Sequence, residues 1–302
     1  MKRRIAILST FIATCLGSST LVAAEGFPST GECTPAEVFA PGQISTPDLH
    51  QSRLTFSPDR RTVYWAETAD SGPPGSEVPH TIMTAYRTSS GWSMPTVAPF
   101  SGIHIDSDPH VTLNGRHLIF SSSRPGSTAP YPLNDLWITH RTANGWSDPV
   151  NLGPNVNSAA DELYASTDWW GNLYFASDRK GGQWDLYRSR RRFDGSYAPA
   201  ESLGPGPNHP QLWEFNPEIS PSGRTLLYAS HGRVDSYGDV DLYVSRIGRN
   251  GKFGNPVNLG PCVNTAAPEF HPTVLWERRQ LYFVRVNETL DFMTTPLDLP
   301  NH

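Results

Sequence analysis

Residues 149–191 read PVNLGPNVNSAADELYASTDWWGNLYFASDRKGGQWDLYRSRR, and their order of short apolar runs and turns decides the fold. A strand-like run leads to a polar turn, a second strand, a Gly181-Gly182 hairpin and a third strand. Nearly the same order recurs four more times. Anchored on the turn residue, the copies are SPDRRTVYWAE, TLNGRHLIFSS, DWWGNLYFAS, SPSGRTLLYAS and LWERRQLYFVR. The anchors are Arg60, Gly115, Gly171, Gly223 and Arg278, spaced by 55, 56, 52 and 55 residues. A fixed period of this size is the signature of a repeat architecture.

Each copy continues into a third strand such as Trp184-Asp185-Leu186-Tyr187 or Val240-Asp241-Leu242-Tyr243. A turn and a last strand follow, as in Pro149-Val150-Asn151-Leu152-Gly153 and Pro256-Val257-Asn258-Leu259-Gly260. Four short strands rich in Tyr, Phe, Val and Leu, separated by Gly, Pro, Asn and Asp, describe a propeller blade. No apolar period of 3.6 residues persists in the mature chain, so helices should be few. The last copy supplies three strands and stops, while residues 37–42 (EVFAPG) stand ahead of the first copy where PVNLG stands in the others. That piece should fill the outer place of the fifth blade, since an unpaired outer edge would be exposed. The expectation is an all-β, five-bladed β-propeller of four-stranded blades, closed by the N-terminal strand in the last blade.

The repeat resembles the WD40-like PD40 repeats of TolB-type β-propellers. The matching residues are Ser57-Pro58-Asp59, Ser220-Pro221-Ser222-Gly223-Arg224, Phe175-Ala176-Ser177-Asp178-Arg179 and Asp241-Leu242-Tyr243-Val244-Ser245-Arg246. The resemblance covers almost all of the mature chain and implies the fold. Because such propellers serve as binding scaffolds and fused modules, it implies little about chemistry.

Residues 1–24 read as a signal peptide: Lys2-Arg3-Arg4, an apolar core from Ile5 to Leu16 too short for a membrane span, and Val22-Ala23-Ala24 at the cleavage site. Lipidation at Cys15 is the rival reading. The expected product, residues 25–302, is one propeller in the periplasm or secreted, without a membrane span and monomeric. Export leaves Cys33 and Cys262 in an oxidising compartment. Bonded, they would staple the ring across 229 positions, worth about 3–5 kcal/mol in the loop-entropy picture; two free thiols are the alternative. A formal net charge of -5 argues against a nucleic-acid partner. The one basic run, Arg188 to Arg192 (RSRRR), lies at a strand end and reads as a solvated edge. Three Pro/Gly-rich hairpins, residues 70–79, 127–133 and 230–239, occupy one place in three units and should share a rim. They read as loop variation or as a partner-binding edge.

Candidate chemistry sits at the start of the inner strands. Nine positions before each anchor stand Gln51, Asp106, Glu162, Glu214 and Glu269; seven before stand Arg53, Asp108, Tyr164, Asn216 and His271. On an extended strand the two positions face the same way, which would place a ring of four carboxylates at a channel mouth. One reading is a binding mouth for a protein or glycan ligand, with Gln51, Arg53, Tyr164, Asn216 and His110 as contacts. A second makes Asp106, Asp108, Glu162, Glu214, Glu269 and His271 the catalytic residues of a carbohydrate hydrolase or lyase, since glycoside hydrolysis needs paired carboxyl groups. A third, implied by the resemblance, makes the acids part of the repeat itself, hydrogen-bonding backbone between adjacent blades. No cofactor is expected, although His271, Glu269, Glu214 and Asp108 carry ligand atoms that suit a channel metal. His104 and His110, flanking the second unit's acids, read more simply as hydrogen-bonded histidines. Trp169-Trp170 could stack on a sugar, but at least one should pack between blades.

Overall fold

The computed structural model describes residues 34–47, 49–69, 80–287 and 290–300. They form five antiparallel sheets in a ring, with a single turn of 3-10 helix, Trp276–Arg278. Blade 2, as an example, runs outward through Asp106–Val111, His117–Ser122 and Asp135–Thr142 to the short outer strand Val150–Asn151. Blade 3 repeats it with Glu162–Thr167, Leu173–Ser177, Asp185–Ser189 and Glu201–Ser202.

Blade 5 contains Glu269–Leu275, Gln280–Val286 and Leu290–Pro296, and its outer place is taken by Glu37–Val38, paired with Thr294 and Met293. Closure by the N-terminal segment is therefore the observed topology. The paired piece is shorter than the six residues expected. Phe39 still donates its N–H to the Phe292 carbonyl at 2.7 Å, then Ala40 turns into the left-handed region and the strand ends. The chain folds inward instead: Phe39 packs edge-on to Tyr282 and Phe56, and Ile44 is buried in the seam between blades 5 and 1.

The core is a set of five seams. Ile119, Leu136 and Ile138 of blade 2 meet Leu173, Phe175 and Tyr187 of blade 3, and comparable clusters fill the other four interfaces. Alternating apolar residues on each sheet thus find a neighbouring sheet on both faces. The connections repeat as well. Asn157, Asn208 and Asn264 each accept the N–H and donate to the carbonyl of one third-strand leucine: Leu136, Leu186 and Leu242. This explains the Gly-Pro-x-x-Asn pattern after the outer strands.

Inner strands begin on what we term the upper face and end at the anchor turns on the lower face. The second-to-third strand hairpins, residues 123–134 and 232–239, share the upper face as expected; residues 70–79 lie outside the described residues, as do residues 1–33, which include the segment read as a signal peptide, Cys15 and Cys33.

Candidate functional site

The four acids nine positions before the anchors are fully buried. Each meets an arginine of its own blade. Asp106 pairs with Arg124 at 2.7 Å, Glu162 with Arg179 at 2.9 Å, Glu214 with Arg233 at 2.8 Å and Glu269 with Arg285 at 2.7 Å. Three of them also accept a hydroxyl from the second strand, Ser122, Ser177 or Ser230. Each arginine then donates to a carbonyl of the inter-blade loop, at Phe100, Val156, Pro207 or Val263. Backbone N–H groups of Ser158, His209 and Thr265 complete three of the four. The unit is a clamp that ties two strands to the incoming loop, built from charge-assisted hydrogen bonds in a dry setting. An open ring of carboxylates does not form from these residues. In blade 1 the acid is replaced by Gln51, whose amide bonds Thr46.

The extended-strand premise fails two residues later. Every inner strand carries a bulge, with register shifts between Ser52/Thr55, Ser107/His110, Leu163/Ser166, Phe215/Glu218 and Phe270/Thr273. At each bulge one residue has positive φ: Arg53 at 34°, Asp108 at 53°, Tyr164 at 63°, Asn216 at 51° and His271 at 52°. A side chain in this region costs of order 1 kcal/mol or more, and glycine is the default. None of the five is glycine, so each side chain is kept against that cost. All five are buried, and all differ.

Their contacts cross the channel. Arg53 of blade 1 donates to the carbonyls of Ala165 (3.0 Å) and Pro217 (3.3 Å) and pairs with Glu218 of blade 4 at 3.2 Å. Asn216 and His271 make two contacts, side chain to ring Nδ1 at 3.0 Å and His271 N–H to Asn216 Oδ1 at 3.2 Å. Asp108 lies 3.6 Å from the same His271 Nδ1 and accepts the Ser107 hydroxyl at 2.8 Å. Tyr164 stands edge-on to His271, with ring centres 5.4 Å apart. Burial sets the proton affinities here. It raises Asp108 to about 6 against the opposing pull of Ser107 and Arg53, and Glu218 to about 7 against Arg53. It lowers His110 to about 3 and holds His271 well below the usual imidazole range, with Arg53 adding to both.

A second belt lies two residues further down. The residue five before each anchor bonds the next blade: Thr55 to Val111, His110 to Thr167, Ser166 to Ile219, Glu218 to Val274 and Thr273 to Leu54. The ring of bonds closes through all five seams. His110 belongs to this belt, and Glu218, absent from the candidates drawn from sequence, is both a belt member and the partner of Arg53. Its signal was present: a glutamate where three other copies carry Thr or Ser.

The upper rim holds an open cavity of roughly 600 Å³, walled by residues 103–105 and by the hairpin from Ser123 to Tyr131. Ile103 is 88% exposed and Tyr131 67%, while Arg124 on its wall is fixed by Asp106. His104 lines this cavity rather than the channel. Glu214 and Glu269 are turned to their arginines, and among the described residues no group of three His, Cys, Asp or Glu is placed to hold a metal ion. Trp169 and Trp170 are 71% and 65% exposed, so neither packs between blades; the turn anchor faces solvent on the lower face.

No established protein family matches the chain, and no curated protein does. Solved structures share the fold. A TolB-like protein of Agrobacterium tumefaciens is similar at 14% identity, TM-score 0.50, over 79% of this chain and 70% of that one. A GH43 endo-arabinanase of Bacillus licheniformis is similar at 13% identity, TM-score 0.54, over 86% and 98%. An endo-arabinase of Bacteroides thetaiotaomicron is similar at 15% identity, TM-score 0.53, over the same shares. At such identities the likeness is one of fold alone.

Proposed function

We propose that the chain is an exported PD40/TolB-type propeller that works by binding, taking a protein or glycan ligand on its upper face. The observation that carries this is the rim cavity, where the hairpin of blade 2 and the neighbouring loop leave Ile103 and Tyr131 exposed beside a fixed Arg124. Concave, partly apolar surfaces with a few positioned polar groups are where ligands are held. Export rests on residues 1–24, and the Cys33–Cys262 staple gains support because Cys262 does not stand as a free thiol. The test is a glycan and peptide panel read with the wild type, Tyr131→Ala and Ile103→Asp. Binding that both variants weaken at least tenfold, with unchanged melting, supports the reading. Ligand binding that neither variant alters refutes it.

A second reading, a carbohydrate-active enzyme, is favoured by one observation. Asp108 and Glu218 are channel carboxyl groups with proton affinities raised to about 6 and about 7, the kind of shift a general acid requires. Arabinan is the first polymer to try, because two structures of the same fold are arabinan-degrading enzymes. Release of reducing ends that Glu218→Gln abolishes would favour this reading; no release from a polysaccharide panel would end it.

A further inference from the structure

Charge is divided between the two faces. The anchor turns of the lower face carry Arg60, Arg61, Arg116, Arg224, Arg278 and Arg279, of which Arg60 pairs with Glu277 at 3.2 Å and Arg279 with Asp298 at 3.5 Å, whereas four upper-face arginines are consumed by the buried clamp acids. Blade 3 concentrates this positive charge. Its third strand, Asp185–Ser189, holds Arg188 and leads directly into Arg190, Arg191 and Arg192, and its anchor turn bears Trp169 and Trp170. The two segments touch. Arg191 donates its N–H to the Asn172 side chain at 3.0 Å, and a Cβ added to Gly171 would sit 3.6 Å from Arg191 Cγ.

We propose that residues 168–172 and 190–197, on the lower face of blade 3, form a docking surface for an acidic polysaccharide carrying carboxylate or sulfate groups. The turn that carries the indoles is held in place beforehand. The backbone N–H of Trp169 donates to the Pro221 carbonyl of blade 4 at 2.9 Å, and the backbone N–H of Trp170 donates to the Asp168 carboxylate at 3.0 Å. With the backbone of the turn already fixed, only the side-chain torsions of the two rings are left to order when a sugar stacks on them. Three acids nearby offset part of this charge. Asp168 is buried and accepts from Asn172 and its own turn, Asp194 accepts from Ser196 and is held ionised by those bonds and by Arg192, and Glu201 lies 3.5 Å from Arg188 and 3.8 Å from Arg190. The four arginines still outnumber them. Arg192 bonds the Tyr197 carbonyl and the Ser196 hydroxyl, which leaves guanidinium donors over, because each fork carries five N–H groups. Planar forks match carboxylate and sulfate two bonds at a time. A lipid surface is the poorer fit. Phe193, fully exposed, is flanked by Arg192 and Asp194, with no contiguous apolar tip to insert.

Affinity electrophoresis through gels containing polygalacturonate, with dextran as the neutral control, tests this. The wild type should be retarded by polygalacturonate alone, and less so at 0.5 M salt, as screening shortens to about 4–5 Å. Trp169→Ala/Trp170→Ala and Arg190→Gln/Arg192→Gln should each weaken retardation at least tenfold, with melting unchanged because all four positions are exposed. Mobility unaffected by polygalacturonate overturns the proposal, as does equal retardation of wild type and variants. Binding to phosphatidylglycerol vesicles without retardation by polygalacturonate overturns it too.

Discussion

Two rows of residues two positions apart in every inner strand have opposite histories of use. The outer row is nearly uniform: Asp106, Glu162, Glu214 and Glu269, each with its arginine and its loop carbonyl. The inner row is Arg53, Asp108, Tyr164, Asn216 and His271, five unlike side chains in one strained backbone geometry. What a blade needs for its own integrity is repeated; what crosses the channel need occur only once per ring. Buried acids in a repeat are therefore poor markers of chemistry, and a row that breaks the repeat is the better place to look.

Substitutions sharpen that contrast. Arg53→Met should have the largest effect, about 3–5 kcal/mol of stability, because Glu218 and the carbonyls of Ala165 and Pro217 lose their shared cation. Chemical denaturation measures it, and a loss below about 1 kcal/mol would mean that the channel network contributes little.

A smaller effect depends on pH. Asp108 and Glu218 hold protons in the fold up to about 6 and about 7, while an unfolded carboxyl releases its proton near pH 4. Their stabilising contribution is complete below pH 4 and disappears as pH rises through 6 to 7. His110, lowered to about 3, works from the other side: its contribution is complete above its unfolded pKa and fades as pH falls. Asp108→Asn should flatten the decline in melting temperature between about pH 4 and 6, where the folded and unfolded carboxyl differ in protonation. A profile parallel to the wild type would show that Asp108 titrates normally in the fold.

The smallest change is Tyr164→Phe. The Tyr164 hydroxyl bonds no other described residue, so its loss should shift stability by less than about 0.5 kcal/mol. A larger loss would place the hydroxyl in the packing network; reduced ligand binding at unchanged stability would place it in a site.

The ring, its five modules and its closing strand were legible in the sequence because turn chemistry recurs at Ser57, Ser220 and the anchor glycines, and because the last copy visibly lacks its fourth strand. The clamp was half legible. Arg179 stands in the quoted Phe175–Arg179 motif, yet nothing local shows that it reaches back to Glu162. The bulge was not legible at all, since the usual signal for left-handed backbone is Gly or Asn and only Asn216 supplies it. With the bulge unseen, alternation placed acids and channel residues on one face, and the acidic mouth followed. The rim cavity lay hidden for another reason: residues 103–105 and 123–131 meet only through tertiary packing.

The central claim is that the repeated acids are structural clamps. A double-mutant cycle on Glu214→Gln and Arg233→Met, measured by chemical denaturation, tests it most directly. The account predicts a coupling of about 1.5–3 kcal/mol in the pair, with loss of stability in each single variant. Coupling near zero, with Glu214→Gln as stable as the wild type, would contradict it.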